Sequence, residues 1–272
     1  MHRDQRMPLR RGPLPPAAEQ LAGAPSKADR RCVIITTTAP QRRPKPSAAE
    51  LAHEIGAVCA DLPRFVTAPL YRRWHQHWGA TAAEVAAAMP GDELVADAQV
   101  CCTRAITIDA PPEAVWPWLV QVGCLRAGFY ADDLLDNLGR PSAREILPEF
   151  QHLEVGQWVP MSPKPSELTA HRVVGFEAPQ WLLWRQPTST WVWTLTPAGD
   201  GATRLVTRLR IFYDWAHPAP TLLALVLTEF GDFAMMRRML LGVKARAERH
   251  AAASVARRPR PLPSLSWADT VR

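Results

Sequence analysis

The stretch 100–123, VCCTRAITIDAPPEAVWPWLVQVG, constrains the fold more than any other because its hydrophobic period changes partway along. Ile106 and Ile108 share one face of a strand of period two. Pro111 and Pro112 come next, where a helix begins, since a proline at the first helical position gives up an N–H that has no partner anyway. Pro117, a turn and a half later, predicts that this helix ends or bends and a second short piece begins. A strand feeding a broken helical pair suits the closed end of a sheet.

The rest of the chain supplies the sheet. Strand-like runs over 155–161, 168–177, 181–186, 189–197 and 202–213 are separated by Pro163, Pro165, Pro179, Pro187 and the hairpin signal PAGDG at 197–201. After Pro218 and Pro220 a long helix is predicted over 221–250, with Leu222, Val226, Phe230, Phe233, Met236, Leu240 and Val243 in one stripe. Its opening, TLLALVL, is apolar all round, and Glu229 interrupts it too early for a membrane span, which predicts burial inside the protein. The economical solution is α+β: a curved antiparallel sheet wrapped around the long C-terminal helix, so that each buries the other's apolar face.

Upstream, the capping-box patterns Ser47-x-x-Glu50 and Thr81-x-x-Glu84 predict a helical preamble over 47–98, closed by MPGDEL. Residues 1–46 are Pro- and Arg-rich without periodicity and read as a disordered basic extension, with CVIITTTAP its one strand-like run. Residues 251–272 read as a loose tail. The first 50 residues hold ten Lys/Arg against four Asp/Glu, the whole of the chain's net +6. The remainder therefore has no basic surplus, which argues against a nucleic-acid partner. Cys32, Cys59, Cys101, Cys102 and Cys124 contain no C-x-x-C pair and read as small buried hydrophobes in a reducing compartment, with no metal or cofactor implied. The start lacks an apolar leader core and no run is long enough to span a bilayer, so a cytoplasmic location is expected.

The strand–Pro-Pro–helix text TRAITIDAPPEAVWPWLVQVG (103–123), with GDELV (91–95), RAGFY (126–130), ILPEFQ (146–151), VGQWV (155–159) and MMRRMLLGVKARAE (235–248), resembles the START/polyketide-cyclase (SRPBCC) superfamily, and within it a bacterial subgroup. The likeness covers about residues 70–250. It implies the helix-grip, birch-pollen-allergen-like fold over 99–250, with a cavity for an apolar ligand between sheet and helix. It does not imply one activity, because that scaffold carries lipid carriers, cyclases, hydrolases and co-chaperone domains.

Within such a cavity, parity assigns the wall. Trp191, Trp193 and Leu195 share a face of one strand; Leu209 and Tyr213 share a face of the next, whose other face carries Arg204, Arg208 and Arg210 and reads as solvent. Trp158, Met235 and Met239 complete the ligand-binding set, with Met236 as further adaptable floor. Each tryptophan also suits plain core packing. Polar candidates are few. Tyr130 and Asp133 are candidates for orienting a ligand hydroxyl or carbonyl, with Glu149 and Gln151 second candidates for that role; Tyr130, Asp133 and His171 are the candidate proton-transfer groups of an enzyme, and Arg185 a candidate carboxylate binder. DDLLD reads equally as an acidic helix start facing water. G-x-S-x-G, H-E-x-x-H, P-loop and dinucleotide patterns are absent from the sequence. Three functions stay open: binding of a small hydrophobic molecule such as a lipid or polyketide-like aromatic, a cyclase/dehydratase-type enzyme working without metal, and a protein–protein adaptor docking through the start of the long helix. Ligand identity and oligomeric state are not legible.

Overall fold

The structure, a computed structural model, describes residues 47–256. The extension 1–46 with its strand-like run, and residues 257–272, lie outside the described residues. Six strands form one antiparallel sheet: β1 Val100–Ile108, β2 Trp158–Pro160, β3 Ala170–Glu177, β4 Trp181–Gln186, β5 Ser189–Ala198 and β6 Ala202–Ile211. Their order is β1-β6-β5-β4-β3-β2, so the first strand pairs with the last and the middle strands form a meander. The hairpin between β5 and β6 turns through Gly199 and Gly201, both at positive φ (66° and 79°), a conformation open to glycine.

Seven helices accompany the sheet among the described residues: α1 Ala48–Thr67, α2 Arg72–Gln76, α3 Ala82–Ala86, α4 Pro112–Val120, α5 Asp133–Asp136, α6 Pro218–Val226 and α7 Asp232–Ala256. The last of them, α7, packs Met236, Met239, Leu240 and Val243 into one core cluster with Trp193, Leu195 and Leu205 of the sheet. This is the α+β helix-grip arrangement.

Thr81 forms the predicted capping box, its hydroxyl accepting the Glu84 N–H at 3.2 Å while the Glu84 carboxylate accepts the Thr81 N–H at 2.7 Å. The preamble does more than precede the domain. The β6 face carrying Arg204, Arg208 and Arg210, expected to face solvent, is covered by it. Arg208, 3% exposed, donates to Asp92 Oδ2 (2.6 Å), to the carbonyls of Glu84 (2.9 Å), Val85 (2.9 Å) and Ala87 (2.8 Å), and to Thr103 Oγ1 (2.9 Å). Arg204 pairs with Glu84 at 2.7 Å, and Arg210 donates to the Val95 and Ala96 carbonyls. A second core cluster of Met89, Ala105, Leu183, Val192 and Val206 fills this outer layer.

Two helical expectations are corrected. Helix α4 runs through Pro117 to Val120, and the next helix, α5, is a single turn that begins only at Asp133. The chain is reorganised at Gln121, which is fully buried and joins α4 to the loop after it. Its Nε2 donates to Tyr130 Oη (2.9 Å) and the Glu145 carbonyl (3.2 Å), and its Oε1 accepts from Leu147 N–H (2.9 Å) and Gln151 Nε2 (3.1 Å).

The long helix is also not one stripe. It starts with Pro218 as its first residue, contains a π turn at Leu227–Gly231, and continues to Ala256, beyond the predicted end. A π turn inserts one residue, which rotates the helix before it by about 100° relative to the helix after it. Leu222 and Leu240 lie eighteen residues apart, five α-helical turns, yet Leu222 is 57% exposed and Leu240 0%. The opening of the helix is therefore not buried all round. Likewise Cys59 on α1 is exposed, whereas Cys102 and Cys124 are buried; all described cysteines are free.

Candidate functional site

A cavity of about 240 Å³ lies between α7, β5 and the segment around α5. Met235, Met236 and Met239 form one side, Trp191 and Met161 another, and Phe129, Ala131 and Leu135 a third. Two carboxylates, Asp136 and Asp232, complete the lining, and among the described residues no lysine or arginine belongs to it. Local sequence explains the wall: the alternation of β5 turns Trp191 inward, and the i, i+1, i+4 spacing of the methionines puts them on adjoining faces of α7.

Hydrogen bonds and edge-on ring contacts hold the aromatic wall together. Trp191 donates its indole N–H to Thr207 Oγ1 at 2.9 Å, and that hydroxyl donates to the Val192 carbonyl at 2.9 Å. Trp184 meets Trp191 edge-on at 5.2 Å and Trp193 at 5.7 Å. His171, on the same inner face, packs its ring against Trp191 at 5.7 Å. Neither His171 ring nitrogen has a hydrogen-bond partner, and burial alone pushes its pKa down to about 3, so the imidazole is neutral.

Asp232 sits at the junction of two voids. It faces the apolar cavity and also a much smaller one, about 20 Å³, on the side of Cys102 and Glu229. Its carboxylate pairs with the buried Arg104 at 2.7 Å, and Arg104 Nε donates to the His75 carbonyl at 2.7 Å. Burial first, then the Asp232 charge, push the Cys102 thiol up to about 12, so it is not a thiolate nucleophile. No cluster of three or more His, Cys, Asp or Glu side chains suited to a metal occurs among the described residues.

The sequence-derived residues divide accordingly. Trp191, Met235 and Met239 come together at the cavity with Met236. Trp193 and Leu195 share the Trp191 face but are packed into the core behind it, and Leu209 borders that core. Tyr213 belongs to a separate cluster with Val100 and Cys102. Trp158 lies on the outer face, opposite Arg172 in register, with the Arg172 guanidinium 3.7 Å from its ring centroid.

The polar candidates are structural in their contacts. Tyr130 donates its hydroxyl to the Trp118 carbonyl at 2.9 Å, while its backbone sits at φ 60° beneath Gly242, where a Cβ would collide with the Tyr130 carbonyl oxygen. Asp133 accepts the Ser142 N–H at 2.8 Å and the Ser142 hydroxyl. Gln151 joins the Gln121 hub, Glu149 is exposed, and Arg185 is exposed on the outer face. The acidic run around α5 does not face water: Asp132 is fully buried and paired with Arg238 of α7, and Asp136 is buried beside it, accepting the Asp132 N–H at 3.2 Å. Sequence reasoning misses Asp232, Asp136 and Phe129. The polar Gln121 at the end of an apolar helix is the visible sign that this region is buried.

No family model and no curated protein matches the chain. Among solved structures it is similar to the Zhui aromatase/cyclase from Streptomyces sp. R1128, at 16% identity over 57% of this chain and 97% of that one, TM-score 0.36. It is similar to CalC, a self-sacrificing resistance protein from Micromonospora echinospora, at 12% identity over 56% and 96%, TM-score 0.32. It is also similar to the Polyketide_cyc-like protein Cgl2372 from Corynebacterium glutamicum, at 15% identity over 57% and 91%, TM-score 0.28. The fold assignment rests on the sheet order and α7, not on these likenesses.

Proposed function

We propose that this protein binds a small, uncharged, largely apolar molecule in the cavity between α7 and the tryptophan wall. The observation that carries the reading is the lining: three methionines, Trp191 and Phe129 around about 240 Å³. A dry engineered cavity of about 150 Å³ admits benzene, so this larger one has room for a compound of up to three small rings or a short acyl chain. Methionines let such a floor repack around ligands of different shape. With the carboxylates of Asp136 and the Arg104-paired Asp232 in the lining and no lysine or arginine in it among the described residues, an anionic head such as a fatty acid carboxylate is disfavoured, whereas a hydroxyl or amine donor is welcome.

A cyclase- or dehydratase-type reading draws on the same two carboxylates. Asp136 and the Arg104-paired Asp232, both in the lining, are its candidate proton acceptors. In that reading Asp136→Asn keeps ligand binding and loses turnover.

Two probes of one skeleton test the binding reading. N-phenyl-1-naphthylamine, neutral with one N–H, is expected to bind saturably, and its sulfonated relative 1-anilinonaphthalene-8-sulfonate at least tenfold more weakly. Met235→Trp, which fills the space, is expected to weaken the neutral probe at least tenfold. Absence of saturable binding, or equal binding by Met235→Trp, refutes the cavity as the site; preference for the sulfonate refutes its assigned polarity.

A further inference from the structure

The π turn that rotates the start of the long helix leaves an apolar face outward. On α6 and the π turn, Leu222, Leu223, Val226, Leu227 and Phe230 are all exposed, Leu227 at 59%. No charged residue occurs from Pro218 to Thr228. Beside this stripe stands the turn Ala68–Tyr71 with α2, tied to it by the Arg72–Glu229 ion pair at 2.9 Å. That neighbour presents Leu70, 78% exposed, with Tyr71 and Trp74 also outward. Single exposed leucines need no explanation, but a contiguous face of this many large apolar side chains does.

We propose that this face seats the protein on an anionic lipid surface, with α6 lying in the plane of the interface. Three features favour lipid over a protein partner. Trp74 and Tyr71 flank Arg72 and Arg73, and amphipathic rings beside guanidinium groups suit the headgroup level of a bilayer. From Pro218 to Thr228 the stripe carries no charge with which to orient a protein partner, and a bilayer requires none. The whole net charge of +6 lies in the first 50 residues, the segment leading into α1, and a polybasic segment supplies the second attraction that a modest apolar face needs to hold a membrane. No helix among the described residues is long and apolar enough to cross a membrane, so the contact is superficial.

Co-sedimentation of the full chain with phosphatidylcholine vesicles, with and without phosphatidylserine at roughly one third of the lipid, tests this. The protein is expected to pellet with the anionic vesicles, to be released by high salt, and to pellet poorly with neutral ones. Leu223→Glu with Leu227→Glu, both at exposed positions, is expected to keep the wild-type circular dichroism and reduce partitioning at least tenfold. Arg73→Glu, on the neighbouring turn, is an independent second variant and is expected to weaken anionic-vesicle binding alone. Failure of the wild type to bind anionic vesicles overturns the proposal, as does unchanged binding by the folded variants. A wild-type dimer that these substitutions dissociate, with no vesicle binding, assigns the face to a second copy instead.

Discussion

Trp191 and Trp193 stand on one face of β5 with ring centroids 5.0 Å apart, yet only Trp191 borders the cavity. Replacing Trp193 by Ala therefore empties core volume and is expected to cost about 3–5 kcal/mol of stability while leaving probe affinity of the folded protein unchanged. Replacing Trp191 by Ala is expected to weaken the neutral probe by about 1–3 kcal/mol, the scale of one large apolar contact. Chemical denaturation and probe titration on both variants check the contrast. His171 sets a second expectation. Its folded pKa of about 3 lies below the ordinary 6.5, so the unfolded chain takes up a proton that the folded one refuses. Stability is then full above about pH 6.5 and falls by up to about 1.4 kcal/mol per pH unit as pH drops toward 3. Glu84, held near 2 by Arg204, adds a loss of the same sign below about pH 4.5. Denaturation midpoints at pH 7.5 and 5 are expected to separate in the wild type and to separate less in His171→Phe, where His75, lowered chiefly by burial, still contributes with the same sign, and a flat wild-type profile would contradict this account.

The elements are legible where the signal is local. The β4 limits match the sequence reading at 181–186, and β1 takes up the period-two run from Val100 to Ile108. The Thr81 capping box forms with both of its bonds. Two misreadings share a different cause. The Arg204, Arg208 and Arg210 face reads as solvent because charge on a strand normally means water, but Glu84 and Asp92, more than 110 residues earlier, bring a covering layer with them. The apolar stripe of the long helix reads as continuous because a π turn has no periodicity of its own and rotates a helix without altering its composition. The clasp gives an element-scale expectation. Arg208→Ala removes the bonds to Asp92, Thr103 and three carbonyls together and leaves Asp92 without its close cation, so a loss of about 3–5 kcal/mol is expected by urea denaturation. A loss below about 1 kcal/mol would mean that the preamble adheres through its apolar contacts alone.

At the scale of the molecule, the sheet is covered on one face by the preamble and on the other by α7, and the cavity is left where α7, β5 and the α5 segment meet. Parity finds Trp191 and helical spacing finds the methionines, since both depend on neighbours in sequence. Phe129, Asp136, Met161 and Asp232 are not legible as a site, because four separate segments converge on that void and nothing local marks the convergence. The methionines also report on it directly. Met161, Met235, Met236 and Met239 line the cavity, while Met89 sits in the outer layer on the opposite side of the sheet. Methyl-labelled methionine NMR during titration with N-phenyl-1-naphthylamine is therefore the most direct test of the central claim. The account predicts that the four cavity methyls shift together in one saturable step while the Met89 methyl stays in place; four unmoved methyls, or a Met89 shift of equal size, would contradict it.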